Sequence, residues 1–193
     1  LSSVQALGLT TSAIAGLNLD QLKVFTFTNL SQRQAITSSQ IAGLDTAIEG
    51  TLRAGGISQL TASQVGSITS GGVASLSSAA LGSLQSSQLP GLRTDQLVAL
   101  SSDQMRSLST GLLNALSSTQ LRAIEGGDIG ALTSAQVQGL SARSLNTLTS
   151  GQIQAIEIED LRGLSSAQLQ AFGSSQVVAL ATDQLSSLSS VQA

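Results

Sequence analysis

Thr133-Ser-Ala-Gln-Val-Gln-Gly-Leu140 is one copy of an eight-residue repeat that dominates this chain. The repeat runs without a change of register from Asn29 to Leu188, which is twenty octads, and its consensus is [S/T]-[S/T]-x-Q-[LIV]-x-[A/G/S]-L. Three further octads, spanning 2–9, 10–17 and 18–25, precede a three-residue insertion, Thr26-Phe27-Thr28. We therefore expect one repeat domain over residues 1–193, with a phase break at 26–28.

Three positions of the octad keep the same character along the array. Position 8 is always apolar, position 5 is aliphatic or Met except at Arg33 and Glu49, and position 7 is small except at Gln59. Apolar residues spaced by three and then five fit no continuous element, because the apolar stripe rotates by about 80° per octad on a helix and changes face on a strand. The backbone must therefore change direction once in every octad.

The first half of the octad carries a signal for the start of a helix. Ser or Thr at position 1 with Gln at position 4 is a capping box, in which the hydroxyl accepts from the backbone amide of position 4 and the glutamine accepts from the amide of position 1. Ten of the eleven acidic residues lie at positions 1, 3 or 4, with Glu49 the exception, as suits the first turn of a helix. We assign the glutamine to capping, with amide ladders between rungs as the alternative.

A single octad cannot fold alone. Burying two aliphatic side chains contributes roughly 3–6 kcal/mol, whereas ordering eight residues costs about 8–16 kcal/mol. Octads must therefore stack, and we predict an all-α solenoid of very short helices, one per octad, with positions 5 and 8 inside, position 6 facing water and position 7 allowing close approach. A β-solenoid is the alternative, but abundant Leu, Ala and Gln with few aromatic residues favour helix.

The composition excludes most chemistry. The chain has no His and no Cys, so it offers no imidazole base, thiol nucleophile or nitrogen and sulfur metal ligands. Only 10% of the residues are charged, the net charge is -3, and no basic patch is available for nucleic acid. The apolar runs are far shorter than the roughly 18 residues of a membrane helix. We expect no enzyme, no cofactor, no nucleic-acid partner and no membrane span.

Two acidic segments and the hydroxyl residues are the remaining features that could bind a ligand. Glu125-Gly-Gly-Asp128 and Glu157-Ile-Glu-Asp160 could attract a hard cation such as Ca²⁺, but neither matches a known calcium loop and first-turn acids need no ligand. We assign no catalytic, cofactor or metal site. The Ser and Thr pairs at positions 1 and 2 could present a hydroxyl array to ice, glycan or mineral, which is the alternative function.

Residues 2–6 and 189–193 both read Ser-Ser-Val-Gln-Ala in the same phase of the octad. Because an open solenoid end exposes apolar residues, we expect either a segment of a longer array or a chain that stacks end to end with copies of itself.

The runs Leu100–Leu108 and Leu132–Leu140 resemble the L-[ST]-x-x-Q-[IV]-x-x-L tracts of very large secreted bacterial surface proteins, namely adhesins and haemolysin-like or haem-utilisation-like proteins. The resemblance covers almost the whole chain. It implies an extracellular or cell-surface stalk, adhesin or matrix filament that acts as a spacer. The expected partner is the chain itself, by end-to-end or lateral assembly, with cell-surface or matrix glycans as further partners. The resemblance transfers no site residue.

Overall fold

The computed structural model describes residues 10–23, 30–49 and 56–188, which form short helices joined by tight corners. The chain divides into two compact units, residues 1–100 and 101–193. No strand occurs in the described part of either unit. The prediction of an all-α solenoid of short helices is confirmed, and the β-solenoid alternative is wrong.

Almost every described octad contributes one helix. The α-helices of the first unit are Thr11–Ala15, Leu19–Lys23, Leu30–Gln34, Ser38–Leu44, Ala62–Ser67, Ser70–Ala74, Ser78–Gly82 and Thr94–Val98. Its 3-10 segments are Asp45–Ala47, Ile57–Gln59 and Ser86–Gly91. The α-helices of the second unit are Ser102–Ser107, Thr110–Ala115, Ser118–Ala123, Gly126–Gly130, Ser134–Gln138, Ala142–Thr147, Ser150–Gln154, Ile158–Arg162, Ser166–Leu169, Ser174–Ala179 and Thr182–Ser187.

Each helix begins at position 2 and ends before position 8, for reasons visible in the octad 117–124. Ser117 is extended, with φ -67° and ψ 161°, and its hydroxyl caps the amide of Gln120. Ile124 is extended again, with φ -64° and ψ 133°. A helix of about one and a half turns is too short to be stable alone, so the extended corners at positions 8 and 1 must be fixed by contacts with other octads.

Three octads make one turn of the solenoid in each unit. In the second unit, Ser150–Gln154 packs against Gly126–Gly130 and Ser174–Ala179, which begin 24 residues before and after it. In the first unit, Ala62–Ser67 packs in the same way against Ser86–Gly91. Each octad is therefore covered by the octads three places before and after it in the sequence.

The core follows the octad as predicted. Position 8 is buried throughout the interior of both units, as at Ile68 and Leu140, and position 5 is buried at residues such as Leu97 and Ile153. Position 6 is mostly exposed, which confirms the prediction that it faces water. Each turn thus supplies three pairs of aliphatic side chains to the interior.

Two irregularities change the local geometry. Pro90, at position 6 of its octad, lies in the 3-10 segment Ser86–Gly91, where no α-helical bond from residue 90 to the carbonyl of residue 86 is required. Near the insertion, Leu19–Lys23 packs against Ser38–Leu44, two octads later instead of three. The three inserted residues therefore take the place of one octad in that turn, although Phe25 and Thr26-Phe27-Thr28 themselves lie outside the described residues.

Candidate functional site

The junction between successive turns is the most elaborate recurring feature of both units. Gln152, at position 4 of its octad, shows its parts. The side-chain oxygen accepts from the backbone amide of Thr149 at 2.8 Å. The side-chain nitrogen donates to the carbonyl oxygens of Leu121 at 2.8 Å and Ile124 at 2.6 Å, both in the preceding turn. One buried amide thus caps its own helix and binds the turn beneath it.

The same arrangement recurs at eight glutamines, which we call the inter-turn glutamines. In each, Nε2 donates to the carbonyl at position 8 found 28 residues earlier, over 2.6–2.8 Å. They are Gln64, Gln88, Gln96, Gln136, Gln152, Gln168, Gln176 and Gln184. Most are almost fully buried, and Gln96 has no exposed surface at all. A buried amide with both ends bonded is a stabilising group, whereas a broken one would leave several polar groups unsatisfied.

The sequence-based assignment of glutamine to capping is therefore correct but incomplete. Complete capping boxes form at octads such as 117–124 and 133–140. The nitrogen end, which capping leaves unused, makes the inter-turn bonds. These bonds go to backbone carbonyls and not to other glutamines, so the alternative of an amide ladder is not what forms.

The glutamine cap persists where the hydroxyl is missing. Arg93, Gly173 and Ala181 occupy position 1 without a side-chain cap on the helix, yet their backbone amides donate to the glutamine three residues later at 2.7–2.9 Å. The glutamine is thus the more constant half of the capping box in this chain, consistent with its second role between turns.

Octads that lack the glutamine use a side chain from the preceding turn instead. Ala80 occupies position 4 of the octad 77–84, and there the carboxylate of Glu49 accepts from both the amide and the hydroxyl of Ser77. Ser144 occupies position 4 of the octad 141–148, and there Oδ1 of Asn114 accepts from the amide of Ser141 at 2.7 Å. Glu49, the one acid outside the first-turn pattern, is therefore explained as an inter-turn cap.

The two other departures from the consensus also contact each other. The guanidinium of Arg33, at position 5, donates to the side-chain oxygen of Gln59, at position 7 of an octad one turn later. Arg33 is buried, so a polar acceptor near its guanidinium is needed to offset the cost of removing the charge from water. A charged residue at an interior position is accommodated by a polar residue at a position that is otherwise small.

Long polar side chains at position 6 form a second inter-turn connection in the second unit. Arg106, Arg122, Asn114 and Asn146 each donate to the carbonyl at position 7 found 25 residues later, over 2.6–3.1 Å. These groups are at the solvent-facing edge of the turn junction. They place position 6 side chains over the next turn even though the side chains remain largely hydrated.

One ion pair perturbs the titration of a surface group. The guanidinium of Arg93 donates to both carboxylate oxygens of Asp95 at 2.9 Å, and the hydroxyl of Ser70 donates to one of them at 2.8 Å. These bonds, chiefly that from Arg93, lower the pKa of Asp95 to about 2. The same hydrogen bond raises the pKa of Arg93. Because both side chains are about half exposed, the pair adds little to stability.

The acidic segments do not gather into a metal site. The carboxylate of Asp128 accepts from the hydroxyl of Ser102 at 2.8 Å, and that of Glu159 pairs with Arg162 at 2.8 Å. Glu157 and Asp160 border an open groove of about 590 Å³ together with Arg106 and Ser134. Among the described residues, no group of three or more acidic side chains is placed to hold a metal ion. The carboxylates serve helix ends and neighbouring turns.

The hydroxyl residues do not form an unbroken array in the second unit. Position 1 hydroxyls such as those of Ser117 and Thr133 are used in caps. Position 2 residues follow each face at 24-residue spacing, but Gly126, Ile158 and Ala142 interrupt the three faces. A ligand that requires a regular row of hydroxyls would meet a gap on every face of this unit.

The fold and its turn junctions define a repetitive helical protein of structural type. A family model, described as the ALTTAQ repeat, matches residues 73–110, 121–156 and 153–190, which is more than half of the chain. The chain belongs to the ALTTAQ repeat family. The six letters correspond to positions 7, 8 and 1–4 of the octad, and Ala131–Gln136 reads ALTSAQ. No curated protein matches the chain.

The helices of the described residues are all short, and none has the length and apolar character needed to cross a membrane. Sequence reasoning missed the inter-turn role of glutamine and its substitutes. A signal was present, because Glu49 departs from its pattern and Ala80 lacks the glutamine in the octad four places later. Arg33 and Gln59 likewise depart from the consensus 26 residues apart, close to the length of one turn.

Proposed function

We propose that this chain is a non-catalytic structural protein, a subunit of an extracellular filament or a stalk segment of a giant bacterial adhesin. It acts as a spacer and as a self-assembling scaffold. The observation that carries the proposal is the inter-turn glutamine, because each turn binds the previous turn through bonds that the next turn repeats. An array built in this way can be lengthened by adding turns, without any other chemistry.

The extracellular location and bacterial source are supported by the resemblance of the octads to tracts of secreted bacterial surface proteins. The absence of cysteine suits an oxidising environment, where a free thiol would be open to oxidation or mispairing. The hydroxyl array is the weaker alternative, since each face of the second unit is interrupted at position 2.

Electron microscopy of the purified chain at several concentrations, with image averaging, tests the proposal. We expect fibres with an axial repeat of one helix-packing distance, about 8–10 Å per turn. A concentration series that yields only compact particles with no axial periodicity would contradict the scaffold and spacer role. Separate short rods would support a spacer that does not assemble by itself.

A further inference from the structure

Position 5 changes its exposure in the last described turn, which consists of the octads 165–172, 173–180 and 181–188. In the preceding turn, Leu145, Ile153 and Leu161 at position 5 are completely buried. In the last turn, the corresponding Val177 and Leu185 are 42% and 44% exposed. Position 8 remains buried there at Phe172 and Leu180. Position 5 is thus the part of the octad that the following turn covers.

The same turn also presents hydrogen-bond acceptors of the kind that inter-turn glutamines use. Gln176 donates to the carbonyls of Leu145 and Leu148, at positions 5 and 8 of the preceding turn. The equivalent carbonyls of Val177 and Leu180 accept no glutamine in the described part of the chain. The end of this turn therefore combines apolar surface with acceptors in the arrangement found at every internal junction.

Val178 extends this surface. It lies at position 6 and is 85% exposed, the highest value among the large apolar residues described. Position 6 side chains elsewhere in the unit, such as Arg106 and Asn146, reach over the next turn to the carbonyl at position 7. Val178 therefore lies at the edge that a following turn would cover. We call Leu169, Val177, Val178 and Leu185 the end face.

We propose that the end face binds a second copy of this chain, which places a turn of octads upon it and so continues the solenoid across the junction. The inference rests on the proposed function and names the surface through which the scaffold would grow. The internal junctions of the same chain identify the occupant, because aliphatic position 5 side chains and acceptors for a glutamine match an octad turn. Gln21, a position 4 glutamine that is exposed where the inter-turn glutamines are mostly buried, offers a donor of the required kind.

Such a contact joins two different surfaces and does not close on itself. Contacts of this type extend into filaments. The polarity of the hydrogen bonds gives the filament a direction, with glutamine donors on one side of each junction and carbonyl acceptors on the other.

Sedimentation velocity over a range of concentrations, combined with electron microscopy, tests the end face. Val178→Glu places a charge on it at a residue too exposed to affect folding, and Val177→Glu adds a second site on the same face. Val98→Glu is the matched control, since Val98 is also at position 6, is 45% exposed and lies away from the end face. Far-UV circular dichroism checks that each variant keeps its helices.

We expect the wild type and Val98→Glu to grow with concentration, and both end-face variants to weaken association by at least about tenfold. Growth of the end-face variants equal to that of the wild type would overturn the inference but leave self-assembly through another surface. A wild type that stays monomeric throughout would overturn the inference and the self-assembling role together. The spacer role would then depend on the axial repeat of the single rods.

Discussion

Substitution of Gln152 tests the central role given to the inter-turn glutamines. Gln152 is 3% exposed and makes three hydrogen bonds, one from Thr149 and two to Leu121 and Ile124. Each bond contributes about 0.5–1.5 kcal/mol, so Gln152→Ala should lower the free energy of unfolding by about 1.5–4.5 kcal/mol. The measurement is urea unfolding followed by far-UV circular dichroism, with the midpoint and slope compared with those of the wild type.

Two further variants separate hydrogen bonding from packing. Gln152→Met keeps most of the side-chain volume but leaves the same three backbone groups unbonded, so it should retain most of the loss. Gln154→Ala changes the same residue type in the same helix at an exposed position, and should alter stability by less than about 0.5 kcal/mol. If Gln152→Met proved as stable as the wild type, or if both alanine variants lost the same amount, the inter-turn bonds would not be the source of stability.

Three other changes probe the turn junctions. Glu49→Ala removes the inter-turn cap from Ser77, and urea unfolding should show a loss of about 0.5–2 kcal/mol, typical of a lost helix cap. Gly91→Ala would place its Cβ 1.7 Å from the carbonyl oxygen of Ala62, so the turns must separate and the thermal midpoint should fall clearly. Replacing Arg93 by Ala should raise the pKa of Asp95 from about 2 towards its ordinary value of 3.8, as followed by carboxyl NMR shifts against pH. Because the folded pKa lies below the ordinary value, the stabilisation from this pair is complete above about 3.8 and is lost as the pH falls towards 2.

Each of these predictions has a matched comparison. Ala80→Gln restores the consensus glutamine beside Ser77, so Glu49→Ala should cost less in that background, and equal losses would contradict the capping role. Gly127→Ala meets no atom within 4 Å and lies inside a helix, so it should be neutral or stabilising by up to about 1 kcal/mol. A carboxyl titration of Asp95 that is unchanged by Arg93→Ala would show that another group sets its pKa.

The octad predicts the local structure well because the determinants are local. Ser117 and Gln120 lie three residues apart, within reach of one another in any helix start, so their capping box can be inferred from spacing alone. The burial of Leu121 and Ile124 follows from the same short helix. These parts of the fold depend on eight consecutive residues and on little else.

The number of octads in a turn depends on contacts that the octad does not contain. The angle at each corner is set where Gln152 reaches Leu121 and Ile124, which lie 31 and 28 residues away. No residue within a single octad specifies that distance. The cap that Asn114 provides for Ser141 is also long-range, and only the missing glutamine at Ser144 marks the octad as one that needs it.

The sequence repeats every 8 residues, whereas the structure of each unit repeats every 24. Gain or loss of a single octad keeps every capping box and every donor and acceptor type, yet it turns all later octads by one third of a revolution. A surface residue such as Arg106 would then point from a different side of the molecule. Only changes by three octads preserve the direction of the later surface. Lengthening by repeat duplication thus changes two properties together, reach and facing, and duplications of three octads at a time change reach alone.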